Sequence, residues 1–201
     1  MENVVVSIFD IESEAFQAFS ELKQFGQTEN TKLAQASIVK AENGVVNVKD
    51  SFDLMDSLGD DYFEGGLIGS LIGILGGPLG VLFGFAAGGA IGASVGSDKE
   101  LANSVLITTV SNKLTNGEVA IIALVQENDE FVLNSIFEKY QVHIARWDVA
   151  TVAAEIESAL KIQEDLEHQA KARLIADKKE ARREKFDKLK ASIKEKFSKK
   201  N

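Results

Sequence analysis

The sequence has no cysteine in 201 residues, one proline, two histidines and one tryptophan. Without thiols there are no disulfides, no thiolate metal sites and no cysteine nucleophile, and the redox compartment stays open. His143 and His168 stand alone, outside any His-x-x-x-His or Glu-x-x-His spacing that would build a metal site. No two glycines lie two positions apart, and no Lys-Ser or Lys-Thr follows a glycine, so the dinucleotide fingerprint and the P-loop are both missing. The N-terminal residues MENVVVSIFD carry no basic region and no small-residue cleavage site, so residence on the cytoplasmic side is expected. With these signatures absent, no enzyme, cofactor, metal or small-molecule substrate is expected.

Charge of both signs is missing from a further stretch, Gly65 to Gly96, which reads GGLIGSLIGILGGPLGVLFGFAAGGAIGASVG. Glycine recurs there every four residues, at Gly65, Gly69, Gly73 and Gly77, and again after Pro78 at Gly80, Gly84, Gly88, Gly92 and Gly96. Four residues is slightly more than one helical turn, so each set follows one slowly drifting helix face, with Leu67, Leu71 and Leu75 roughly opposite. Glycine costs a helix about 1 kcal/mol against alanine, a cost that close helix packing offsets. The pattern predicts a glycine-zipper hairpin bent at Gly76-Gly77-Pro78. Its arms, about 22 and 28 Å long at about 1.5 Å per residue, fall short of a bilayer core of about 30 Å.

The charges that are present are segregated. Residues 1–64 hold 13 acidic and 4 basic side chains and residues 97–160 hold 10 and 4, whereas residues 161–201 hold 14 basic and 8 acidic. An acidic body repels nucleic-acid phosphates, and no aromatics interleave with the basic tail as a base-stacking surface would require. Nucleic acid is therefore not an expected partner. Asp50, Asp53, Asp56, Asp60, Asp61 and Glu64 form an acidic run without the calcium-loop pattern, read as solvation of the approach to the hairpin.

Around the hairpin, two similar halves are expected. Val4 to Phe9 reads as a buried strand, followed by a helix capped at Asp10 or Ser13, with Ala15, Phe16, Phe19, Leu22 and Phe25 on its apolar side and Gly26 at its end. A strand over 36–41 and Val45–Val48 flank Asn43-Gly44, a hairpin tip. After the glycine stretch, Ser97 to Glu100 caps a helix carrying Leu101, Val105, Leu106, Val110 and Leu114. Then come a strand over 119–125, a cap at Asn128 and Asp129, a helix marked by Phe131, Val132, Ile136 and Phe137, and a strand with Val142, Ile144 and Trp147. Trp147 is expected in the core or at a membrane interface, the core being the ordinary place for it. A doubled strand-helix-strand unit predicts an α+β, ferredoxin-like split sandwich. The expected segments are 1–58, the hairpin at 59–97, the second half at 98–148, and a long C-terminal helix at 149–201.

With its glycine-rich apolar run between the flanking strands VVVSIFD and VAIIALV, the chain over roughly residues 3–160 resembles a bacterial and archaeal family, domain of unknown function twelve sixty-nine. The resemblance implies the paired-half fold and a membrane label. It brings no established activity and no catalytic residues, and it implies nothing for the basic extension.

From Thr151 onward there is no glycine or proline, and a long helix is expected. Its end sets Phe186, Leu189, Ile193 and Phe197 on one face among Lys185, Lys188, Lys190, Lys194 and Lys196, a basic amphipathic pattern suited to an anionic membrane surface or an acidic partner, or equally to a bundle helix. Taken together, the sequence leads to the expectation of a self-associating protein held at the cytoplasmic face of the cell membrane by its hairpin. The alternative is a soluble cytoplasmic homo-oligomer that buries its hairpins in a shared core.

Overall fold

In β1 (Glu2–Phe9), every residue from Val4 to Phe9 is buried. A strand with both faces covered must lie inside a sheet and between layers. The computed structural model, which describes residues 1–54, 66–80, 105–114 and 116–198, places β1 between β4 (Val119–Glu127) and β5 (Val142–Asp148). With β2 (Thr31–Glu42) and β3 (Val45–Asp53) these strands make one sheet in the order β3-β2-β4-β1-β5. Every neighbouring pair is antiparallel.

One sheet face carries α1 (Glu12–Lys23) and α5 (Phe131–Phe137). Ala15, Ala18, Phe19 and Leu22 of α1 and Leu133, Ile136 and Phe137 of α5 join Val5, Phe9, Leu33, Ala36, Ile38, Ile121 and Ala123 in a single core. Strand alternation sends every second residue to one side. Leu33 and Ala36 nonetheless share this face although three positions apart, because the register slips between Leu33 and Gln35 and leaves Ala34 as an extra residue. A second slip at Lys49 of β3 turns Asp50 towards α1, where its carboxylate meets Lys23. The β2–β3 turn is made by Asn43 and Gly44 at φ 56° and 76°, the paired left-handed conformation that a two-residue hairpin needs and that Asn-Gly supplies.

The alternate residues Val4, Val6, Ile8, Val39, Ala41, Ala120 and Ile122 are just as fully buried. Over this second face lie α2 (Gly66–Gly76), with Ile68, Leu71, Ile72, Ile74 and Leu75 buried, and α4 (Val105–Lys113), with Leu106, Ile107 and Val110 buried. A short turn, α3 (Pro78–Gly80), follows α2. Val152, Ile156 and Ala159, in the first turns of α6 (Val149–Ser198), are buried too. The described residues up to Leu160 form one compact unit, and Lys161–Asn201 is a second.

The α+β class, the strands, the Asn-Gly turn and the long C-terminal helix agree with the sequence reading. Several details differ. Helix α1 starts after Ile11 with no side-chain cap from Asp10 or Ser13, and it ends at Lys23, before Gly26. Phe16 is 38% exposed and Phe131 72% exposed, because three- and four-residue spacing also admits positions at the margin of a helix's buried arc. Near α5, Asp129 Oδ1 does accept the Phe131 N–H at 2.9 Å. Trp147 is half-buried on the second face, beside a cavity of about 30 Å³ shared with Val6, Ile8 and Val110. The cap at 97–100 and residue Leu101 lie outside the described residues.

Candidate functional site

Helix α2 is the described arm of the glycine-rich stretch, and its glycines divide by what surrounds them. Gly69 and Gly73 face outward, and a Cβ built on either meets no described atom within 4 Å. They flank each other one turn apart on the side away from Leu71 and Leu75, as a four-residue period requires. Gly76 is different: its Cβ would stand 2.8 Å from the Val46 carbonyl oxygen of β3, so only glycine lets α2 lie this close to the sheet. At Gly77 a Cβ would stand 2.8 Å from the Gly73 carbonyl oxygen, and at Gly80 it would overlap that of Leu75. Gly77 is the single non-helical residue between α2 and α3, and Gly80 closes α3. Gly66 holds φ +60° against the Gln35 amide. Gly65, Gly84, Gly88, Gly92 and Gly96 lie outside the described residues.

Beside the outward glycines runs a groove of about 300 Å³, with Gln35, Ser37, Ser51 and Asp53 on the sheet side and Gly69 and Ile72 on the helix side. Gln35 donates to Asp53 at 3.0 Å. This mixture of small and polar groups offers hydrogen-bonding positions next to a low helix surface. It contains no histidine, cysteine or lysine.

Two polar clusters left no local trace in the sequence. Glu155 of α6 is buried, and its carboxylate accepts the Leu106 N–H at 3.0 Å and the Ile107 N–H at 3.3 Å. It caps α4 from 48 and 49 residues away, placing negative charge where the first N–H groups of a helix have no intrahelical partner. Glu127, 3% exposed, receives Arg146 Nε at 2.8 Å and Asn3 Nδ2 at 3.0 Å, while Arg146 also donates to Asn134 at 2.6 Å. This pair fastens β1, β4, β5 and α5 together. The contacts of both carboxylates join neighbouring elements, while the second oxygen of Glu127, Oε2, is buried without a hydrogen-bond partner among the described residues.

On the surface, Tyr140 donates to Glu21 at 2.5 Å, with Lys139 on the other carboxylate oxygen. The lysine and the phenol hold Glu21 below the usual carboxylate range, while burial and the facing carboxylate push the Tyr140 phenol up to about 12. His143 is exposed on β5, and His168 is exposed on α6, 3.8 Å from Glu164. Among the described residues no group of three His, Cys, Asp or Glu could hold a metal ion. Of the acidic run, Asp50 pairs with Lys23 and Asp53 with Gln35, and Asp56, Asp60, Asp61 and Glu64 lie outside the described residues.

Among the described residues no helix is long and apolar enough to cross a membrane. Lys185 is exposed within α6, which also carries Phe186, Lys188, Leu189, Lys190, Ile193, Lys194, Lys196 and Phe197 in helical conformation.

The fold is thus an α+β protein with a five-stranded antiparallel sheet covered on both faces and a glycine-lined helix in its second layer. The family DUF1269, a protein of unknown function, matches residues 63–167, more than half of the chain, and the protein belongs to that family. The match begins just before the glycine-rich stretch and runs through α2, α3, α4, β4, α5, β5 and the start of α6, leaving β1, α1, β2 and β3 ahead of it. No curated protein and no solved structure matches the chain.

Proposed function

We propose that this is a non-enzymatic, self-associating protein whose contact surface is the outward glycine side of α2, presented by a ferredoxin-like core. The core reading is supported by the order β2-β4-β1-β5, the arrangement of a doubled strand-helix-strand unit with α1 and α5 on one face; β3 adds an edge strand beside β2.

The observation that carries the association reading is the contrast within one helix. Its apolar side is spent on the protein's own sheet, whereas Gly69 and Gly73 are exposed with room around them. Glycine at exposed helix positions lowers stability by about 1 kcal/mol each relative to alanine. A second helix backbone approaching this flat strip is the physical benefit that offsets that cost. The protein's partner, on this reading, is another copy of itself.

Gly69→Leu and Gly73→Leu test the proposal directly. Both sites are open in the described fold, so leucine is accommodated without displacing the core, and the variants separate assembly from folding. Light scattering of the full-length protein should show a wild-type oligomer and smaller variants with unchanged circular dichroism. Variants that keep the wild-type mass would count against the glycine contact.

Membrane insertion of the hairpin is the competing reading, supported by the uncharged run and the basic tail. Fractionation of cells with a salt and detergent wash series distinguishes it: recovery in the membrane fraction until detergent is added favours insertion.

A further inference from the structure

We propose that the part of α6 beyond Leu160 pairs antiparallel with the same helix of a second copy, about a two-fold point near Leu174. The inference stands on α6 alone and is independent of the α2 contact.

From Lys161 to Ser198 the chain continues as helix, roughly 55 Å at about 1.5 Å per residue. All residues from Glu167 to Ile175 are exposed, including Leu174 at 55% and Ile175 at 67%. Ion pairs along this part of the helix are spaced four residues apart, Glu164 with His168 at 3.8 Å and Glu167 with Lys171 at 3.6 Å. Such exposed pairs add little to stability and rearrange readily. A long helix with exposed leucine and isoleucine gains by burying them against another helix.

The charge pattern identifies the occupant. Between residues 157 and 167 stand four acids and one base, and between 177 and 201 stand eleven bases and five acids. A parallel pair of these helices would set like charge on like. An antiparallel pair sets the acidic run of each on the basic run of the other, at both ends at once. The point midway between the two runs falls close to Leu174 and Ile175, so one axis satisfies the charges and buries the two exposed aliphatic side chains. An anionic lipid surface would take the basic run but repel the acidic one. A second copy is complementary to both.

The absence of native cysteine makes the geometry readable by disulfide cross-linking of the full-length protein. Leu174→Cys should cross-link to itself. Asp165→Cys and Arg183→Cys, equally far from Leu174 in sequence, should each remain uncrosslinked alone and cross-link when mixed.

Charge exchange provides the second arm. The variants Glu164→Lys/Asp165→Lys/Glu167→Lys and Lys178→Glu/Arg182→Glu/Lys185→Glu keep good helix formers at exposed sites, so the fold should persist. Each alone should weaken the pairing by about tenfold at low salt, and a one-to-one mixture should restore it. Self-cross-linking of Asp165→Cys would mean a parallel pair and overturn the inference. So would the absence of all three cross-links, or a monomeric tail that binds only phosphatidylserine vesicles.

Discussion

Alanine at Gly73 and alanine at Gly76 should have opposite effects, although the same atom is added three residues apart on one helix. At Gly73 the new methyl enters open space, and the helix gains the propensity difference of about 1 kcal/mol. For a chain of this length that corresponds to a rise in Tm of about 2–4 °C. At Gly76 the methyl carbon would stand 2.8 Å from the Val46 carbonyl oxygen, a backbone atom held in the β2–β3 ladder. Neither helix nor strand can yield without disturbing Leu75 or Val46, both buried, so the overpacking cost of about 1–3 kcal/mol should exceed what remains of the propensity gain at the last residue of α2. Thermal and urea unfolding followed by circular dichroism, at a concentration where light scattering gives the monomer mass, would measure both. Working dilute matters because an assembly that binds only the folded state would add its own stabilisation to the wild type. Equal stabilisation by the two alanines would refute the close approach at Gly76. A loss of stability at Gly73 in the monomer would refute the open outer face.

Glu155→Ala leaves the Leu106 and Ile107 N–H groups without their acceptor, so unfolding should become easier by about 2 kcal/mol, with Glu155→Gln recovering part of that because its amide oxygen still accepts. Hydrogen exchange at the two amides localises the effect, and unchanged protection in Glu155→Ala would sink the assignment. The pH dependence should have two arms. Lysine and phenol partners depress Glu21, so its contribution is present above the unfolded carboxylate value and disappears as pH falls through the folded one. Tyr140 is shifted the other way, its neutral form being favoured in the fold, so its contribution is present below the unfolded phenol value of 10.0 and is lost as pH rises towards about 12. Phenolate absorbance of a Tyr62→Phe variant, which retains Tyr140 as the sole tyrosine, checks this; a midpoint at the ordinary phenol value would contradict it.

What the sequence made legible was what short-range chemistry decides. The runs Val4 to Phe9 and Val119 to Val125 are β-branched and apolar, Asn43-Gly44 supplies the left-handed turn, and Gly77-Pro78 interrupts a helix. These local preferences agree with the fold. The covering of the second sheet face was also written there, since residues alternate between faces and both sets in these runs are apolar, yet a two-layer sandwich would leave one set wet. Bulges were not legible, because nothing at Ala34 or Lys49 distinguishes an extra residue from a paired one. Neither were the clusters of Glu127 with Arg146 or Glu155 with Leu106, whose partners stand 19 and 49 residues apart and meet only through the tertiary fold. Gly76 was read as part of the bend and not as a packing position, since period reveals a shared face but not how near another backbone comes.

The double covering of the sheet also bears on how the glycine-rich stretch could meet a lipid bilayer. Five aliphatic side chains of α2 are buried, and at about 1.5–3 kcal/mol each the helix holds on the order of 10 kcal/mol of hydrophobic stabilisation. Moving α2 into lipid would shelter those side chains again, but Val39, Ala41, Ala120 and Ile122 of the sheet would gain no such shelter. Leaving them in water costs a sizeable fraction of the roughly 5–15 kcal/mol by which a domain is stable at all. Insertion of α2 is therefore coupled to uncovering the second sheet face. Lipid contact that leaves the fold intact has to be made with α2 in place, through its outward side, where Gly69 and Gly73 offer little apolar surface to a hydrocarbon chain and good access to another helix backbone.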